Sequence, residues 1–231
     1  MARSAKVLTQ MNAAALAITY ALDRLEVDYG FYGAYVLTVL GGLRRLTEDD
    51  RITCAVGCTK AYLMAHLKNF ARFDLDHESD ERPDIATYVF DKSQLRVDFY
   101  PISMTTITTQ RVCLQGGGPE KRSIRILSPV FLFKAQLEQV FHHLHNADLE
   151  DLRFLQSLNA WHLRTQKSHF NRLYMGKIVF KKPAMQVFFK ELNIDPESCR
   201  MKWEARKQGA IQRADAINRV QNGLLYNTHD K

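Results

Sequence analysis

The sequence contains no stretch approaching the roughly 20 apolar residues that a bilayer-spanning helix requires, so no membrane partner is expected. It is also poor in cysteine. Cys54, Cys58, Cys113 and Cys199 make up the whole complement. They form no CxxC pair and no zinc-finger spacing, and Cys54 and Cys58 lie too close to join easily within one extended segment. Free or buried thiols in a reducing compartment follow, and with them a cytoplasmic protein. No internal repeat and no low-complexity segment interrupts the chain. Two glycine clusters occur, and neither fits a nucleotide-loop pattern. Gly116, Gly117 and Gly118 lack the Lys and hydroxyl of a phosphate loop, and no helix starts directly after them, so they read as a flexible turn. Gly41 and Gly42 lack GxGxxG spacing, which leaves a dinucleotide fold without support.

What the chain does have is an ordinary globular balance: 46% apolar and 25% charged residues over 231 positions. That suits one domain carrying a helical extension. The net charge of +7 extends the candidate partners from a small-molecule or nucleotide ligand to nucleic acid. Basic residues thicken after residue 160, at Arg164, Lys167, Arg172, Lys177, Lys181, Lys182, Arg200, Lys202, Arg206, Lys207 and Arg213, but they are mixed with acids. The charge pattern does not indicate an oligomeric state.

The first 26 residues place Val7, Leu8, Met11, Ala15, Ile18, Leu22 and Leu25 near helical spacing. Asp23 and Glu26 follow without a clear cleavage site, so this segment reads as an amphipathic helix rather than a targeting sequence. Strands are expected at 28–33, 51–57, 85–90, 94–102 and 123–128. A short helix is expected at 34–40, stopped by Gly41-Gly42. A second should be capped by Thr59 and run over 60–73, and a third should begin at Pro129, where a missing N–H does no harm. Polar loops are expected at 77–84 and 115–122. The remainder reads as helical, with breaks near Lys182-Pro183 and at 193–198. The fold class is thus α+β, a small mixed sheet flanked by helices, over 1–160, with a helical C-terminal extension over 161–231.

The stretch YGAYVLTVLGGLRRLTEDDRITCAV, residues 32–56, resembles the signature of the small nucleotidyltransferases, including antitoxin-linked and fungal stand-alone forms. Gly33 and Ala34 stand where the leading glycines would be. Gly41, Gly42, Arg45, Thr47 and Asp49 match the rest, with one extra residue before the threonine. Asp98 in LRVDFY occupies the setting of a third carboxylate on a later strand. ILSPVFLFKAQLEQVFHHLH and DLEDLRFLQSL, with Asp148 and Asp151, resemble two further helical pieces. The resemblance covers residues 30 to about 158 and implies a nucleotidyltransferase-like fold. It also implies Mg²⁺-dependent transfer of NMP from an NTP to a protein, RNA or small molecule. Such chemistry uses two Mg²⁺ ions held by hard oxygen ligands, with paired carboxylates at i and i+2 on one strand.

The pattern departs from that family at two places. Anchored on Thr47, the first metal carboxylate is Asp49 and the second position is Arg51. A gapless alignment on Gly33, Gly41 and Arg44 instead pairs Glu48 with Asp50. Strand parity favours the first frame, because Ile52, Cys54 and Val56 form the core-facing set while Asp49, Arg51 and Thr53 share the other side. The family lysine falls at Gln136, and Lys134 lies two residues earlier on a different helix face. Asp49, Arg51 and Asp98 should therefore converge on one cleft, lined by Gly33, Gly41, Gly42, Arg45, Thr47 and Lys134. Its net charge is about −1 instead of −3, a poor host for Mg²⁺, so neither metal nor cofactor is expected in that frame.

Three functional classes follow. The favoured one is a repurposed fold whose pocket binds, or transforms without metal, a small anionic ligand. The alternatives are conventional Mg²⁺-dependent transfer and a non-catalytic, antitoxin-like interaction protein. Elsewhere, His142, His143 and His145 lack the i, i+4 spacing of a helical metal site. Trp161, His162 and Arg164 are candidates for a nucleobase site, although a core position for Trp161 is the stronger expectation.

Overall fold

The computed structural model describes residues 2–42, 46–47, 51–70, 72–76, 81–91, 95–103, 108–114 and 122–226, with side chains from 5 to 214. The chain divides into two compact units, residues 1–136 with 145–162, and residues 137–144 with 163–231.

The first unit is built on a seven-stranded mixed sheet. Its strands are β1 (Tyr29–Tyr32), β2 (Ile52–Val56), β3 (Phe73–Leu75), β4 (Ala86–Phe90), β5 (Arg96–Pro101), β6 (Thr109–Cys113) and β7 (Ser123–Leu127). They run in the order β3-β4-β5-β2-β1-β7-β6. β2 pairs with β5, and β1 with β7, in parallel; the remaining neighbours are antiparallel. The expected pairing of 51–57 with the strand that carries Asp98 is therefore present. One face bears Phe31, Cys54, Phe99 and Ile126, which stand opposite one another in the ladder and are all fully buried.

Helix α1 (Ala2–Arg24) buries Val7, Met11, Ala15, Ile18 and Leu22 of the expected stripe, with Ala14 and Ala21 beside them, whereas Leu8 is half-buried and Leu25 lies past the helix end. Asn12 on α1 accepts a hydrogen bond from the hydroxyl of Tyr35 on α2 (Ala34–Val39) at 2.9 Å. Thr59 caps α3 (Lys60–Leu67) as expected, its hydroxyl accepting from the Tyr62 N–H at 3.2 Å. That helix is shorter than its expected span, because Phe73 pairs with Phe90 and starts β3. Two edge strands, β3 and β6, were not expected. β3 has three residues, and β6 is exposed along most of its length, so neither carries a burial alternation to read. Of the expected loops at 77–84 and 115–122, residues 77–80 and 115–121 lie outside the described residues.

α4 (Pro129–His143) starts at its proline, and α5 (Asn146–Thr165) changes direction at Asn159, whose φ of −138° is not helical. In the second unit, α6 (Arg172–Lys181) is capped by Asn171 and ends where Lys182-Pro183 was expected to break it. α7 (Met185–Glu191) follows, and α8 (Pro196–Tyr226) takes proline at its first position. Gly176 on α6 lies against α8 so closely that a Cβ there would sit 2.1 Å from the Cys199 carbonyl oxygen. Among the described residues no helix is long and apolar enough to cross a membrane. All four cysteines are free thiols.

Candidate functional site

The ladder aligns Tyr32 with Thr53, Thr53 with Asp98, and Asp98 with Thr87, one row across four adjacent strands. Residues directly opposite share a face, and this face is the one turned away from Phe31, Cys54 and Phe99. Arg51, two residues before Thr53, and Tyr100, two after Asp98, fall on the same side. Parity thus assigns Arg51 and Asp98 to a common surface.

Asp98 is the centre of the row and only 2% exposed. A carboxylate so buried needs charged and hydrogen-bonding partners. Thr87 donates its hydroxyl proton to Oδ1 at 2.8 Å. Arg51 Nη1 lies 3.4 Å from both oxygens, and Arg82 Nη1 donates to Oδ2 at 3.2 Å. The two guanidinium groups are about one third exposed, so they reach from the solvent side to a buried carboxylate. Among the described residues, Asp98 thus has two cationic partners, Arg51 and Arg82. Burial pushes the nearby Tyr100 phenol above its usual range; Asp98 adds to that rise, and Arg82 and Arg51 oppose it. Tyr32 packs edge-on against Tyr100, with centroids 5.7 Å apart, and extends the surface with aromatic area.

Arg82, Thr87 and Tyr100 were not among the residues singled out from sequence. Thr87 and Tyr100 follow from alternation once the register with Asp98 is known. Arg82 lies in an irregular segment and carries no periodic signal. Its backbone is held by Lys60, whose ammonium donates to the Arg82 carbonyl at 2.9 Å. Further along β5, Arg96 donates to the buried Asp76 at 3.0 Å, a second ion pair on the Asp98 side of that strand.

The glycines have local reasons to be glycine. Gly33 has φ +78°, and a Cβ there would meet the Thr53 hydroxyl at 2.6 Å. That hydroxyl donates to the Tyr32 carbonyl at 2.5 Å, which ties β2 to the turn entering α2. A Cβ on Gly42 would meet the Leu37 carbonyl oxygen at 2.8 Å, whereas at Gly41, with φ +96°, nothing among the described residues stands within 4 Å. Thr47 is exposed beside the buried Leu46. Arg45 and Asp49, and the alternative pair Glu48 and Asp50, lie outside the described residues.

The ammonium of Lys134 rests over the Phe131 ring at 4.8 Å, on α4. Gln136 is buried and donates to the Asp148 carbonyl at 3.1 Å, so it joins α4 to α5. Asp148 and Asp151 are buried as well. Trp161 corrects an expectation: it is 74% exposed rather than in the core. The break at Asn159 shifts the helical phase, so the stripe that buries Leu152 and Leu155 does not continue to Trp161. Among the described residues no three His, Cys, Asp or Glu side chains gather as a metal site.

No protein-family model and no curated protein matches this sequence. Solved structures do. The crystal structure of an antigenic nucleotidyltransferase-like protein from Paracoccidioides brasiliensis superposes with a TM-score of 0.52 at 15% identity, covering 80% of this chain and 92% of that one. The chain has a nucleotidyltransferase-like fold. The solution structure of the antibiotic-resistance factor ANT(2'')-Ia is similar too, with a TM-score of 0.50 at 12% identity, over 88% of this chain and 98% of that one. At such identities the likeness concerns the fold, and function has to be argued from the site.

Proposed function

We propose that this nucleotidyltransferase-fold protein uses the surface around Asp98 to hold a small anionic ligand through Arg51 and Arg82, without a two-metal centre. One observation supports the reading above others. Both oxygens of Asp98, the position that resembles the family's third carboxylate, are engaged by Arg51, Arg82 and Thr87. The Mg²⁺ ions of the related chemistry need open carboxylate oxygens about 2.1 Å from the metal and a negative site. Among the described residues the groups around Asp98 are cationic, an arrangement that disfavours the metal there.

The same arrangement suits an anion. Asp98 neutralises part of the charge and fixes the two arginines, whose side chains are each about one third exposed. Guanidinium forks match phosphate and carboxylate geometry, and Tyr32 and Tyr100 offer apolar walls beside them. A fixed cation pair of this kind also stabilises negative charge that develops on a bound molecule.

Calorimetric titration with ATP and with pyrophosphate, in EDTA and in millimolar Mg²⁺, tests the proposal. Binding in EDTA that is lost on Arg51→Ala and on Arg82→Ala is expected, with little gain from Mg²⁺. Strong Mg²⁺-dependent nucleotidyl transfer abolished by Asp50→Ala would overturn it and restore the alternative frame. Failure of both anions to bind would also overturn it.

A further inference from the structure

The chain's net charge is not spread over both units. The first contains 18 Lys and Arg against 18 Asp and Glu; the second contains 14 against 7. The whole +7 belongs to the second unit.

Within that unit the positive charge is set among aromatic rings. Gly176 lies against Cys199 and Trp203, and Phe180 lies beside Lys207, so α6 and α8 run side by side in the same direction. Their facing rows bring Lys181 and Lys207 to one ring, Phe180, at 5.8 and 5.4 Å. One turn or two back along α6, Tyr174 stacks on Phe141 at 4.3 Å, and Lys177 sits over the same Phe141 ring at 4.3 Å. Trp203 meets Phe141 edge-on. The Tyr174 phenol donates to Glu138 at 3.4 Å; burial and Glu138 push it up, and Arg206 opposes that rise. Phe141, Tyr174, Phe180 and Trp203 are all half-exposed, and Lys181, Lys202, Arg206, Lys207 and Arg213 are exposed. Two acids of α8, Glu197 and Glu204, both pair with Arg200.

We infer that this α6–α8 surface binds single-stranded nucleic acid, its lysines and arginines tracking phosphates and its half-exposed rings stacking on bases. A charge excess alone would suit any polyanion. Rings interleaved with cations at successive helical turns add what an acidic peptide or an anionic lipid headgroup does not use, a flat π-face for each base. The inference does not depend on the Asp98 proposal, since none of its residues belongs to that cluster.

Fluorescence anisotropy of the full chain with labelled 20-nucleotide oligo(U) and oligo(dT) tests it, over a salt series. Binding should weaken linearly in log–log form as salt rises. Lys181→Glu with Lys207→Glu should weaken binding at least tenfold and reduce the steepness by about 1.4, two contacts at about 0.7 each. The milder pair Lys181→Gln and Lys207→Gln should move both readings in the same direction. Tyr174→Ala should cost about tenfold while leaving the salt slope unchanged, the signature of stacking. Lys68→Glu, an exposed change in the neutral unit, should do nothing. Absence of binding at 50 mM salt would overturn the proposal. So would equal competition by polyglutamate with Tyr174→Ala silent, or binding to phosphatidylserine vesicles in preference to both oligonucleotides.

Discussion

A carboxylate as buried as Asp98 draws its partners from three separate stretches of chain: Arg51 at the entry to β2, Arg82 before β4, and Thr87 within β4. Removing it takes away the carboxylate that both guanidinium groups share. Asp98→Ala should therefore destabilise the first unit by about 2–3 kcal/mol; the part-exposure of both arginines keeps the loss below that of a fully buried pair. Arg82→Ala, which leaves Arg51 and Thr87 in place, should cost about 1 kcal/mol. Urea unfolding of both variants checks the order; equal losses would contradict the shared-anion arrangement. Half of this cluster was legible in the sequence. Arg51 and Asp98 announce themselves because strand alternation by itself assigns each residue to a face. Arg82 does not, because an irregular segment has no period and only a fold can bring it back to the sheet. The cysteines give a second test at this scale. Cys54 and Cys199 are buried and Cys113 is exposed, while burial pushes the Cys58 thiol up to about 11. With a thiol-reactive disulfide at pH 8, one group per chain should react quickly, and Cys113→Ser should remove that phase.

Among the elements, what could be read was whatever buried one face. Helix α1, β2, β4, β5 and β7 each present a periodic apolar set to the core, and each lies close to its expected span. β3 and β6 are edge strands whose existence depends on their neighbours β4 and β7 rather than on their own pattern. Trp161 escaped for a related reason: a single non-helical residue at 159 resets the phase of everything after it. In the second unit the contact that sets α6 against α8 is Gly176, and no local signal marks it, since a glycine inside a helix is ordinarily a weakness. Gly176→Ala would force a Cβ into the backbone of α8, 2.1 Å from the Cys199 carbonyl oxygen. Separation of the helices should cost about 3 kcal/mol, against the roughly 1 kcal/mol gained from alanine's helix propensity. Gly209→Ala is the matched control, because nothing stands within 4 Å of its Cβ position. Thermal unfolding followed by circular dichroism should show a lowered transition for the first variant and a slightly raised one for the second.

The whole molecule combines a neutral sheet unit with a basic helical one, and the sheet unit holds most of the buried acids that are neutral when protonated. Burial raises Tyr29 and Tyr88 from 10.0 to about 12, and Cys58 from 9.0 to about 11. Tyr35 and Cys54 are raised further in the same direction by burial alone or chiefly so. All five belong to the first unit. Each has a folded-state pKa above its unfolded one, so between the two values the folded chain binds more protons. Stability then falls as pH rises. The contribution is fully present below pH 9, begins to fade as the unfolded Cys58 thiol ionises, and fades faster above pH 10 as the unfolded tyrosines follow. It is largely gone once the folded groups themselves ionise, near pH 12. Urea midpoints measured every half unit from pH 8 to 12 should be flat to about pH 9 and fall steadily beyond it. Tyr88→Phe should blunt the decline above pH 10, because it removes one ionising hydroxyl that has no hydrogen-bond partner among the described residues. A sheet-unit midpoint that stays level to pH 12, or a Tyr88→Phe profile identical to the parent's, would mean that these phenols ionise as freely in the folded unit as in the unfolded chain. That outcome is incompatible with Tyr29, Tyr35 and Tyr88 being at most 1% exposed.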